Sequence, residues 1–149
     1  MSRYLLACLF SVGLASWGMA ATATGTFDVD VKPQAPADGD TSNVGRMTIT
    51  KTFHGDLSAT SAGQMLAFIT PTPGSAGYVA MERVTGTLGG RTGEFTLQHS
   101  GTMNRGPPSL SVTVVPDSAT GDLTGLTGTM QIDVSAKEHR YTFDYTLPQ

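Results

Sequence analysis

Alternation with a period of two, repeated along nearly the whole chain, restricts what this sequence can fold into. In "TGTFDVDVK" Phe27, Val29 and Val31 alternate with Thr26, Asp28 and Asp30. In "GRMTITKTFH" Met47, Ile49, Lys51 and Phe53 alternate with Arg46, Thr48, Thr50 and Thr52. "LTGTMQIDV" sets Leu126, Met130, Ile132 and Val134 against threonine, glutamine and aspartate. "HRYTFDYTL" sets His139, Tyr141, Phe143, Tyr145 and Leu147 against Arg140, Thr142, Asp144 and Thr146. Successive residues of a strand face opposite sides, so each run describes a strand with one dry face and one threonine-rich wet face. "LSVTVVP" and "GEFTLQHSGTM" follow the same rule, and runs 57–70 and 76–88 are apolar with weaker alternation. The reading is eight strands joined by Gly- and Pro-rich turns.

No segment makes a convincing amphipathic helix. "SATSAGQMLAFI" comes nearest, but its threonine, serine and glycine oppose helix formation. Eight antiparallel strands without helices to cover them stack as a sandwich or close as a barrel. The short connections favour an up-and-down order. Gly25, Gly63, Gly86, Gly101 and Gly128 lie within strands, where glycine marks the bends that a closing sheet requires. The expected fold is an all-β, eight-stranded antiparallel up-and-down β-barrel with an internal cavity.

The first twenty residues read differently. "MSRYLLACLFSVGLASWGMA" has an early positive charge at Arg3, an apolar stretch from Leu5 to about Leu14, and small residues at Gly18 and Ala20. That is the pattern of a secretory signal peptide cleaved after Ala20. Its apolar core is shorter than the roughly 20 residues that span a bilayer. The chain therefore divides into a signal peptide, 1–20, and a single β-barrel domain, 21–149. "LLAC" superficially matches a lipoprotein processing box at Cys8, but the few residues before it leave no hydrophobic core for export. The expected product is exported, to the periplasm or beyond the cell. Cys8 is the only cysteine, so the mature chain would fold without disulfides and without thiol chemistry. The full chain's formal charge of −3, which becomes −4 without Arg3, comes from sparse, mixed charges with no basic run, which argues against a nucleic-acid partner. Nothing after Ala20 is suited to membrane insertion.

"GEFTLQHSGTM" raises the question of chemistry, because its alternation puts His99 on the same side as Phe95, Leu97 and Met103. The turn "TLGGRT" allows the register to be derived. Gly89-Gly90 between two strands signals a two-residue hairpin, and pairing Leu88 with Arg91 sets Val84 opposite Phe95, Glu82 opposite Leu97 and Ala80 opposite His99. Tyr78, Glu82 and His99 then share the inner face, with Glu82 a diagonal neighbour of His99. Arg83, Arg91, Glu94 and Gln98 point outward. Strand direction places His99, Tyr78, Glu82, His139 and Tyr141 toward one end of an up-and-down barrel. Lys51, inward but late in its strand, is expected nearer the other end, and His54 is expected in solvent.

The long stretches "GDLSATSAGQML", "GSAGYVAMERVTGTLGGRTGEFTLQHSGTM", "VVPDSATGDLTGLTGTMQI" and "HRYTFDYTLP" resemble a bacterial family, domain-of-unknown-function family 3224. It is grouped with the allene oxide cyclase and dirigent barrels. The resemblance runs from about Thr24 to Pro148 and implies an eight-stranded barrel around a cavity, of a type that often self-associates as a homo-oligomer. It implies no catalytic residue, because the cyclases share no alignable motif with this chain.

Glu82, His99, Tyr78, His139, Tyr141 and Lys51 are thus the candidate pocket residues. A buried carboxylate such as Glu82 requires a partner, which Lys51 or His99 would supply. The leading expectation is a cavity that binds a small hydrophobic or aromatic molecule without a cofactor. An isomerase or cyclase using Glu82 and His99 as an acid/base pair is the alternative. A metal held by His99, His139 and Glu82 has less support, since no two of them show ligand-like spacing. A purely structural role is the remaining reading. The sequence shows no nucleophile triad, phosphate loop or dinucleotide fingerprint.

Overall fold

In a computed structural model, which describes residues 18–135 and 137–149, the alternating runs become β1 (Met19–Gln34), β2 (Gly45–Gly55), β3 (Leu57–Ile69), β4 (Ala76–Leu88) and β5 (Arg91–Met103). They continue as β6 (Pro108–Val114), a two-residue β7 (Thr120–Gly121), β8 (Thr127–Asp133) and β9 (His139–Leu147). The described residues contain no helix. Each long strand pairs antiparallel with the next, β6 pairs with β8, and β9 returns to β1. Eight strands therefore close into an up-and-down barrel. The short β7 is an accessory pairing on the edge of β5. Most of the leader reading falls on residues 1–17, outside the described residues. Met19 and Ala20 open β1, opposite Leu147 and Thr146.

The β4–β5 hairpin has the derived register. Leu88 pairs with Arg91, Val84 with Phe95, Glu82 with Leu97 and Ala80 with His99. Its turn takes φ values of 56° at Gly89 and 80° at Gly90, which only glycine adopts without strain and which match strand twist. Because one face of each strand must be dry, this register also sends Arg83 and Glu94 outward, where they form an exposed ion pair.

One end of the barrel is solid. Phe53, Phe95, Phe143, Leu57, Leu88 and Leu97 are buried there. The Phe95 and Phe143 rings stack at 5.8 Å, and Phe53 meets Tyr141 edge-on at 5.7 Å. Residues 115–126 fold over this end and drive Leu123 and Leu126 into it, held by turns such as the Leu126 N–H to Leu123 carbonyl bond. At the opposite end, where loops 70–75 and 104–107 meet, inward residues are left partly exposed. Met103, Leu110 and Val134 are 42%, 40% and 63% exposed.

Candidate functional site

The boundary between the solid and open ends is marked by three charged or polar side chains sealed from solvent. Glu82 on β4 is 0% exposed, His99 on β5 is 2% exposed and Lys51 on β2 is 5% exposed. Lys51 Nζ lies 2.7 Å from Glu82 Oε2, and His99 Nε2 lies 2.8 Å from the same oxygen. Ser61 on β3 donates its hydroxyl to Glu82 Oε1. Both carboxylate oxygens are therefore occupied, as burial of such a group demands. Lys51 is further held over the faces of Phe27 and Phe53, 5.1 and 5.6 Å from the ring centroids.

The meeting of Lys51 with Glu82 depends on the strand between them. Ile49, Gly63 and Glu82 form one cross-strand row, and Lys51, Ser61 and Val84 form the next. The inner face of β3 is small in this stretch, with Ala59, Ser61 and Gly63 in succession. A Cβ on Gly63 would lie 2.3 Å from the Met81 carbonyl and 2.8 Å from Glu82 Cα. Side chains two strands apart thus touch across it, and the lysine stem covers the two-residue step between the rows. Lys51 belongs to the Glu82 cluster and not to the far end, which corrects the expectation from its late position in β2.

Burial alone pushes the Glu82 carboxyl upward. It is outweighed by the hydrogen bond from His99, the charge and hydrogen bond of Lys51, and the Ser61 hydroxyl, so the carboxyl sits at about 2 and is ionised at neutral pH. His99 Nε2–H, fixed on the carboxylate, turns Nδ1 elsewhere. Nδ1 enters no hydrogen bond among the described residues, and no unpartnered side-chain nitrogen or oxygen is sealed in among them. His99 is also one of the residues that line the open-end pocket.

That pocket has a volume of about 400 Å³ and is walled mainly by apolar groups, among them Ile49, Met65, Met103, Leu110 and Ile132. Lys51, His99 and Tyr78 are among its lining residues, whereas Glu82 does not line it. Tyr78 lies across Gly101, where a Cβ would fall 2.3 Å from its ring. Burial, then the negative field of Glu82, raise the Tyr78 phenol, which stays a neutral donor.

The remaining candidates are placed elsewhere. Strands of a closed barrel are staggered, so β9 starts opposite Phe27, midway along β1. Tyr141 consequently lies in the solid half, 2% exposed, accepting from the Leu57 N–H and donating to the His54 carbonyl. His139 packs against Phe27 at 5.2 Å and borders a separate groove with His54 and Glu138. His54 is exposed and reaches Asp28. His99 and His139 are not brought together, and among the described residues no cluster of three or more His, Cys, Asp or Glu has the arrangement of a metal site. Ser61 escaped the sequence reading. Its signal was the inward order Leu57, Ala59, Ser61, Gly63, hidden because small residues blur a hydrophobic alternation.

A comparison with curated proteins finds no match. Among solved structures, the chain is similar to a protein of unknown function from the DUF3224 family of Shewanella oneidensis MR-1. That protein is 44% identical, with a TM-score of 0.81 over 88% of this chain and 99% of the other. The family described as "Protein of unknown function (DUF3224)" matches residues 23–145, and the chain belongs to that family.

Proposed function

We propose that this is an exported protein that binds a small hydrophobic molecule in the open end of its barrel. The observation that carries the reading is an apolar pocket of about 400 Å³ lined at its floor by Lys51 and His99, both of which bind the Glu82 carboxylate behind it. Few polar groups in a concave apolar wall are what small-molecule sites share. The leader pattern at 1–20 supports export. Edman sequencing of protein from periplasm or medium should begin at Ala21, and an intact terminus or a lipidated Cys8 would overturn that part. For binding, a neutral fluorescent probe, N-phenyl-1-naphthylamine, should brighten on addition of the protein. Replacing Ala67, which lines the pocket, by Phe should abolish the signal with the fold intact by circular dichroism. An undiminished signal would place the probe outside the pocket.

One observation favours a second reading, an isomerase of the kind the allene oxide cyclase and dirigent barrels suggest. Glu82 fixes the His99 ring by Nε2, and His99 is among the residues that line the pocket, an arrangement suited to a general base. Here Glu82 would orient the base and would not itself touch the substrate. Loss of turnover in His99→Gln with ligand affinity retained would separate this reading from simple binding.

A further inference from the structure

Resting on the pocket reading, we propose that the ligand is a monocarboxylate: an apolar body that enters the open end and a carboxylate that seats on Lys51, beside Tyr78. The pocket is polarised. Among the described residues, no carboxylate lines it; Glu82 stands behind the floor with both oxygens engaged, while Lys51, His99 and Tyr78 are in the lining. The Lys51 ammonium has three N–H donors and spends one on Glu82, 2.7 Å away. An apolar ligand without an acceptor would leave the others facing hydrocarbon, whereas a carboxylate meets them with charge-assisted hydrogen bonds. The Tyr78 phenol, on the same wall, is a third donor. The ammonium thus lies between Glu82 on one side and the ligand's head group on the other, with Tyr78 on the same pocket wall. The aromatic faces of Phe27 and Phe53 hold the ammonium in position without competing for the acceptor.

Decanoate and decanol test this, because they share an apolar body and differ in the head group. In displacement of N-phenyl-1-naphthylamine from the purified protein at neutral pH, decanoate should act at least tenfold more tightly than decanol. Lys51→Arg should keep that preference. Lys51→Met should bring decanoate to parity with decanol. Equal affinities in the wild-type protein, or a preference that survives Lys51→Met, would overturn the head-group assignment while the decanol result upholds the apolar pocket. Failure of both compounds and of the probe itself would instead remove the pocket reading on which the assignment rests. Should Lys51→Met not fold, decanoate labelled with ¹³C at its carboxyl gives the same decision on the wild-type protein. Its bound carboxyl should titrate below its free value, and an unshifted or raised titration would overturn the proposal.

Discussion

The two ends of the barrel are built from the same alternating strands and finished in opposite ways. At the solid end, inward positions carry Phe53, Phe95, Phe143 and Leu88, and the 115–126 loop adds Leu123 and Leu126. At the open end, inward positions on the same strands carry Ile49, Met65, Ala67, Gly101 and Met103, which are too small or too flexible to meet across the lumen. Close packing gives one end its stability, and its absence gives the other end room for a ligand. The Lys51–Glu82–His99 cluster lies at the transition.

This contrast can be broken most strongly at the solid end. Phe143→Ala should cost about 3–5 kcal/mol by urea denaturation, because the stacked Phe95 ring and the plug cannot close the void. A loss under about 1 kcal/mol would mean that this end is as loosely packed as the other.

Glu82→Gln should come next, at about 3 kcal/mol, since it leaves the Lys51 ammonium buried without its counter-charge. The exposed Glu94→Gln, on the neighbouring strand, should leave the urea midpoint unchanged. A larger effect from Glu94 would contradict the hairpin register and the burial order it sets.

Acid should sharpen the same point. The Glu82 carboxyl lies at about 2 in the fold, below its ordinary 4.5, so the unfolded chain takes up its proton first as pH falls. Stability from this group is therefore whole above about pH 4.5 and is lost progressively toward pH 2, a change on the order of 3 kcal/mol. Glu82→Gln should flatten that part of the stability–pH curve. An unchanged slope would show that other carboxylates carry the acid sensitivity.

The smallest effect belongs to the rim. Leu110→Ser should change stability by no more than about 0.5 kcal/mol, because the side chain is already 40% exposed. The same substitution should weaken binding of N-phenyl-1-naphthylamine severalfold. A stability loss like that of Phe143→Ala would mean that the rim is core and the end is not open.

Much of this could be read from the residues in order. Threonine alternating with Phe, Val and Ile identified the strands, and Gly89-Gly90 set one hairpin register, from which the Glu82–His99 diagonal followed. Heights around the barrel could not be read this way. Tyr141 seemed level with His99 when strands were counted from their starts, but β9 begins opposite the middle of β1, and the tyrosine falls in the packed half. Stagger is a property of closure, and no single strand records it.

What the sequence determined by itself, then, is everything set by nearest neighbours along the chain or across one tight turn: strand identity, the dry face, and which side Lys51, Glu82 and His99 occupy. Only the tertiary structure decided that these three meet on one oxygen, with Ser61 on the other. The reason is physical. Inward direction follows from the two-residue pleat, a local rule, whereas contact between β2 and β4 depends on the missing bulk of Gly63 and Ser61 on β3 and on the shear of the closed barrel. The solid and open ends were decided in the same way, by which inward side chains face each other across a lumen whose width is fixed by eight strands closing on themselves.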